Sequence, residues 1–114
     1  MIVEVRNYRT KPGRRAEFVR VFEERTGPSQ ISLGMTLIGP MLDLDDPDVV
    51  VWLRGFPSME ERDRMKTEFY EGPPWKGELE GLVMPLLESY SVVVCQATPR
   101  MFDGPLGASG DRRP

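Results

Sequence analysis

Two stretches decide the fold: Val3-Glu4-Val5-Arg6-Asn7-Tyr8 near the N-terminus, and Val49-Val50-Val51-Trp52-Leu53-Arg54-Gly55-Phe56 in the middle of the chain. Side chains two apart on a strand share a face. Val3 and Val5 therefore point one way and Glu4, Arg6 and Tyr8 the other. Val49, Val51 and Leu53 likewise oppose Trp52, Arg54 and Phe56. Each strand offers one aliphatic face and one face carrying charge and aromatic rings, which is how the wall of a ligand pocket begins.

Outward from these strands the punctuation is regular. Lys11-Pro12-Gly13 breaks the first strand (residues 2 to 9), and its proline suits the first turn of a helix. That helix carries Phe18, Val19 and Phe22 at helical spacing among charges, runs to about Thr26, and stops at Gly27-Pro28. A second strand from Met35 to Leu42 meets the acidic turn 43–48, which returns the chain into the third strand, Val49 to Phe56, as a hairpin. The turn's carboxylates lack the sixth-position glycine and flanking helices of a calcium loop, so it reads as a solvated turn, with no metal. Ser58-Met59-Glu60-Glu61 matches the S-x-x-E capping box and opens a second helix through about Tyr70, which Gly72-Pro73-Pro74 ends. Leu79, Leu82, Val83, Leu86 and Leu87 give a short third helix, with a kink or early end expected at Pro85. The β-branched run from Tyr90 to Ala97 is the fourth strand.

This is the β-α-β-β-α-β order of a ferredoxin-like α+β protomer with an antiparallel sheet, occupying residues 1–98 as two halves, about 1 to 42 and 49 to 98. Residues 99–114, rich in Gly, Pro, Ser and charge, read as a flexible or partner-wrapping tail. Helices on one face leave the other open, and so large an apolar sheet face favours a homodimer.

Composition narrows the chemistry. With 114 residues one domain is expected, and a net charge of −3 offers no basic field for nucleic acid. No apolar run reaches the roughly 20 residues of a membrane span, and the N-terminus reads straight into a strand, so a cytoplasmic protein is expected. There are no histidines, which removes Ser-His-Asp, Cys-His, His-zinc and proximal-His haem sites. Neither a GxxxxGK[ST] loop nor a GxGxxG turn is present to hold nucleotide phosphates. Cys95, in an apolar run, reads as a buried structural thiol, and the methionines as core filling.

With that order in hand, Glu4-Val5-Arg6-Asn7-Tyr8 followed by Lys11-Pro12-Gly13, the strand into Trp52-Leu53-Arg54, the turn Pro57-Ser58-Met59-Glu60-Glu61-Arg62, and Pro74-Trp75 together resemble the NIPSNAP family over about residues 2 to 98. The resemblance implies a dimeric α/β barrel with two sheets packed together and helices outside. It also implies kinship of fold with cofactor-free monooxygenases, haem-degrading enzymes, dehydratases, isomerases and plain regulatory modules. The family often carries His where this chain has Trp52, and Trp where it has Arg54, which sets the haem-degrading branch aside.

The candidate pocket is therefore Glu4, Arg6, Tyr8, Trp52 and Arg54, expected to face the barrel lumen, with Val3, Val5, Val51 and Leu53 packed beneath the helices. Two arginines suit bidentate capture of a carboxylate or phosphate, Trp52 stacking on a planar body, Tyr8 proton donation, and Glu4 the base. The competing reading is mutual neutralisation of Glu4 with Arg6 or Arg54, and simple packing by Tyr8 and Trp52. The functional expectation is binding or transformation of a small, anionic organic molecule without metal or organic cofactor, by an activity of monooxygenase or isomerase type if catalytic. The alternative is a non-catalytic dimeric module for binding a ligand or a protein.

Overall fold

The computed structural model describes residues 1–101. The chain forms β1 (Ile2–Thr10), α1 (Arg15–Val21), a π-helical turn (Phe22–Thr26), α2 (Gly27–Ile31), β2 (Thr36–Leu42), β3 (Val49–Phe56) and α3 (Met59–Glu71). A second π-helical turn (Trp75–Leu79), α4 (Glu80–Val83), a 3-10 turn (Met84–Leu86) and β4 (Leu87–Gln96) follow. The sheet is antiparallel, in the order β2-β3-β1-β4. This is the expected ferredoxin-like α+β architecture, with β1 and β3 at the centre. Apart from a turn closed by Met101 N–H on the Thr98 carbonyl at 3.1 Å, the tail expectation for 99–114 lies outside the described residues.

Local chemistry accounts for most boundaries. Ser58 Oγ accepts from the Glu61 amide at 3.1 Å, capping α3. The return half of the capping box is not made, because the Glu61 carboxylate turns to Arg64. Pro85 falls inside the 3-10 turn that ends α4, the early stop its ring imposes. The first helix starts at Arg15 rather than at Pro12, which lies in the turn closed by Arg14 N–H on the Lys11 carbonyl at 3.0 Å. The acidic turn spends its carboxylates on its own backbone: Asp43 Oδ1 accepts from the Asp45 and Asp46 amides, Asp46 Oδ1 from that of Asp48. Arg15 Nη1 ties the same turn together through the carbonyls of Asp43, Asp46 and Val49.

The expected stop at Gly27-Pro28 does not occur. The π turn inserts one extra residue, the Gly27 amide reaches back to the Phe22 carbonyl, and helix resumes with Pro28 in its first turn, where a missing N–H is harmless. Gly27 is required there, since a Cβ would lie 2.7 Å from the Phe22 carbonyl oxygen. Helix therefore continues to Ile31 and carries Gln30 into the interior.

The sheet faces are also the reverse of the sequence expectation. Tyr8, Val50 and Trp52 pack with Phe18, Phe22, Val83 and Leu86, and Phe56 with Met65, Phe69 and Leu79. Glu4 and Arg54 are fully buried on this same helix-covered face, and Arg6 nearly so. Alternation sends Val3, Val5, Val51 and Leu53 to the open face, together with the exposed Val93 and the half-buried Cys95. The physical reason is that the charged groups are covered by neutralising one another, with partners from α3 that the strands alone do not reveal. The middle of the open face is left aliphatic, with Asn7, Arg9, Ser89 and Ser91 toward one end.

Candidate functional site

The neutralisation centres on Glu4. Its Oε1 accepts from Arg54 Nε at 2.7 Å and Arg6 Nη1 at 2.8 Å, and its Oε2 from Arg62 at 2.8 Å, with Lys66 Nζ at 3.9 Å. Arg62 and Lys66 lie four apart on α3, a spacing that sets both over the sheet on one helix face. Burial pushes the Glu4 carboxyl up, but Arg54, Arg6 and Arg62 outweigh it and hold its pKa below the ordinary value. One buried carboxylate thus faces three guanidiniums, leaving two positive charges in excess before Lys66 and the exposed Asp63, 3.8 Å from Arg62, are counted.

Arg54 is held in place by two further acceptors. Its Nη1 donates to Gln30 Oε1 at 2.7 Å and to the Tyr70 hydroxyl at 3.0 Å, and Gln30 is fixed in turn by donating to the Thr26 carbonyl. The rings of Trp52, Phe56 and Tyr70 lie 5.5–5.6 Å from its guanidinium carbon. Arg54 Nη2 and Trp52 Nε1 are buried without a hydrogen-bond partner among the described residues. Arg6 divides its donors similarly, giving Nη1 to Glu4 and Nε to the Tyr8 hydroxyl at 3.1 Å. Desolvation raises the Tyr8 pKa against the opposing pull of Arg6, so the phenol stays protonated. Lys66 is displaced downward, by burial first and Arg62 second, with Glu4 opposing.

Beside this network lies a cleft of about 590 Å³ between β1 and β4 on one side and α3 through α4 on the other. Arg6, Tyr8, Arg62, Lys66 and Tyr70 line its inner end, while Trp75 and Tyr90 supply aromatic wall. Its rim carboxylates are engaged: Glu71 pairs with Lys76 at 2.7 Å and Glu80 accepts from Trp75 Nε1 at 3.2 Å. Tyr8, Tyr70, Trp75 and Val83 also line a smaller chamber of about 30 Å³, whose far wall holds Trp52 and Gln30.

All five candidate residues from the sequence meet on one face, but only Arg6 and Tyr8 reach the cleft. Trp52 lines the inner chamber, while Glu4 and Arg54 stand behind as the charge network. Arg54 is not free for bidentate capture, because its Nε is given to Glu4 and both Nη1 hydrogens to Gln30 and Tyr70, whereas Arg6, on the cleft lining, keeps one Nη1 hydrogen and Nη2. Sequence reading missed Gln30, Arg62, Lys66, Tyr70 and Tyr90. The available signals were the helical spacing of Arg62 and Lys66 and the place of Arg62 at the end of the Pro57-to-Arg62 turn.

The fold and site define a ferredoxin-like α+β protein with a cationic, aromatic-walled cleft between sheet and helices. The chain belongs to the NIPSNAP family, whose model matches residues 3–90. A solved NIPSNAP-like domain protein from Burkholderia xenovorans is 28% identical, with a TM-score of 0.77 over 93% of this chain and 90% of that one. A NIPSNAP family protein of unknown function from Agrobacterium tumefaciens is 25% identical, with a TM-score of 0.77 over 89% and 94%. An antibiotic biosynthesis monooxygenase shares the fold at 17% identity, with a TM-score of 0.62 over 87% and 100%. No curated protein matches the chain. Among the described residues, no helix is long and apolar enough to cross a membrane.

Proposed function

We propose that this protein binds a small, planar, anionic organic molecule in the cleft between its sheet and helices, rather than between two sheets. The observation that carries the reading is the charge imbalance: among the described residues Glu4 is the one buried carboxylate facing Arg6, Arg54 and Arg62, only the exposed Asp63, 3.8 Å from Arg62, adds to it, and Lys66 stands at the cleft wall. Buried positive charge without a counter-ion is costly, and an anion in the adjoining cleft relieves it. The ring-bearing walls favour a flat body.

The test is calorimetric titration with 2-naphthoate and its neutral amide, which share shape and differ in charge. Naphthoate should bind at least about tenfold more tightly, as one charge-assisted hydrogen bond is worth about 1.5–3 kcal/mol. The preference should fall in Lys66→Gln. Equal binding of the two probes, or binding of neither, would overturn the reading.

A homodimer through the open sheet face is part of the same proposal. Val93 and Ile38 are exposed there beside Val5, Val51 and Leu53, an aliphatic patch that suits an identical sheet.

A further inference from the structure

Resting on that reading of the cleft, we propose that Tyr8 and Tyr70 form a paired hydroxyl receptor for a single anionic oxygen, so that the site takes a phenol or enol in its ionised form. Both hydroxyls already accept a guanidinium hydrogen, Tyr8 from Arg6 Nε at 3.1 Å and Tyr70 from Arg54 Nη1 at 3.0 Å. Each keeps its own proton to give away, and a cation behind a phenolic oxygen makes that proton a stronger donor. Both residues line the outer cleft and the inner chamber alike, so they stand where the two meet.

The arginines leave few donors for the usual alternative. A carboxylate is best held by two adjacent nitrogens of one guanidinium. Arg54 has spent Nε and both Nη1 hydrogens on Glu4, Gln30 and Tyr70, and Arg6 has spent Nε and one Nη1 hydrogen on Tyr8 and Glu4. The charge of Arg54, behind the cleft, reaches it through the Tyr70 hydroxyl, and Arg6 lines the cleft beside the Tyr8 hydroxyl; each hydroxyl is a single-point donor suited to one oxygen. Such donors, fixed beforehand by the guanidiniums behind them, favour the charged form of a ligand over the neutral one. Trp52 Nε1, unpartnered on the wall of the inner chamber, is a further donor with nothing to receive it among the described residues.

The experiment is an absorbance titration of 4-nitrophenol bound to the intact protein, following the phenolate band across its ionisation, with 2-naphthoate calorimetry alongside. The bound phenol should ionise about one pH unit or more below the free one, a tenfold preference for phenolate. The shift should shrink in Tyr8→Phe and in Tyr70→Phe and vanish in the double variant, each checked for native circular dichroism. Should these variants not fold, Lys66→Gln replaces them: a shift that it leaves in place supports the hydroxyls, and a shift that it abolishes overturns the inference. Naphthoate binding without a phenolate preference would overturn this inference and leave the anion cleft standing, whereas failure of both probes would remove the cleft itself. A shift that persists in the double variant would assign the anion to Lys66 and Arg62, and would also overturn it.

Discussion

The Glu4 carboxylate and the Arg54 guanidinium meet at 2.7 Å with neither side chain exposed to solvent, although fifty residues separate them in the chain. They face each other directly across the β1–β3 register. Pairs of this kind cost desolvation on both sides, and what offsets that cost is the completeness of the hydrogen bonding around them.

Acid should expose this dependence. Glu4 has a folded pKa below its ordinary value, so the stability it contributes is complete above about pH 4.5 and is lost as pH falls through the lower, folded value. Urea unfolding at a series of pH values should show Glu4→Gln to be less stable than wild type by about 3–5 kcal/mol at neutral pH, as for a broken buried ion pair. The gap should narrow on going below pH 4.5. A gap that is constant from neutral pH to pH 2 would contradict the assignment.

The open sheet face gives a prediction of assembly. Val93 pairs with Val5 at the centre of that face and is 61% exposed. Light scattering during gel filtration should give twice the 13.0 kDa chain mass for the wild type and the single-chain mass for Val93→Glu, with circular dichroism unchanged. A monomeric wild type would remove the dimer from the proposal.

Much of this was legible in the sequence, and the exceptions have a common cause. The strand order, the hairpin, the Ser58 cap and the Pro85 stop are written in local residues, because turn and cap chemistry acts over three or four positions. Glu4, Arg6, Tyr8, Trp52 and Arg54 are identifiable by alternation alone. Which face the helices cover is not, since it depends on Arg62, Lys66, Gln30 and Tyr70 arriving from two separate helices to satisfy the charges. The aliphatic face looked like the natural seat for helices only while those partners were unknown. Gln30 was further hidden because Gly27-Pro28 reads as a terminator, and only the π turn carries helix past it.

That turn is testable by a pair of alanines. Gly27→Ala places a Cβ 2.7 Å from the Phe22 carbonyl oxygen and should destabilise by about 1–3 kcal/mol, as overpacking does, despite alanine's better helix propensity. Gly81→Ala, in α4 with nothing within 4 Å of the new methyl, should stabilise by about 0.5–1 kcal/mol. Denaturant midpoints at matched slope measure both. If Gly27→Ala were also stabilising, the close carbonyl approach would be wrong.

The charge network makes one further demand, on coupling. Arg54→Met removes a buried cation but leaves Glu4 paired with Arg6 and Arg62, whereas Glu4→Gln strands Arg54, Arg6 and Arg62 together. The arginine change should therefore be the milder of the two, even though it also frees Gln30 and Tyr70 from their shared donor. Combining them takes away one charge of each sign and relieves the repulsion that Glu4→Gln alone creates among the guanidiniums. The double variant should fall short of the summed single effects by about 1–3 kcal/mol in a mutant cycle read by urea unfolding, the range found for residues in direct contact. Strict additivity would mean that Glu4 answers to Arg6 and Arg62 alone, and that Arg54 is held by Gln30, Tyr70 and the surrounding rings rather than by the carboxylate.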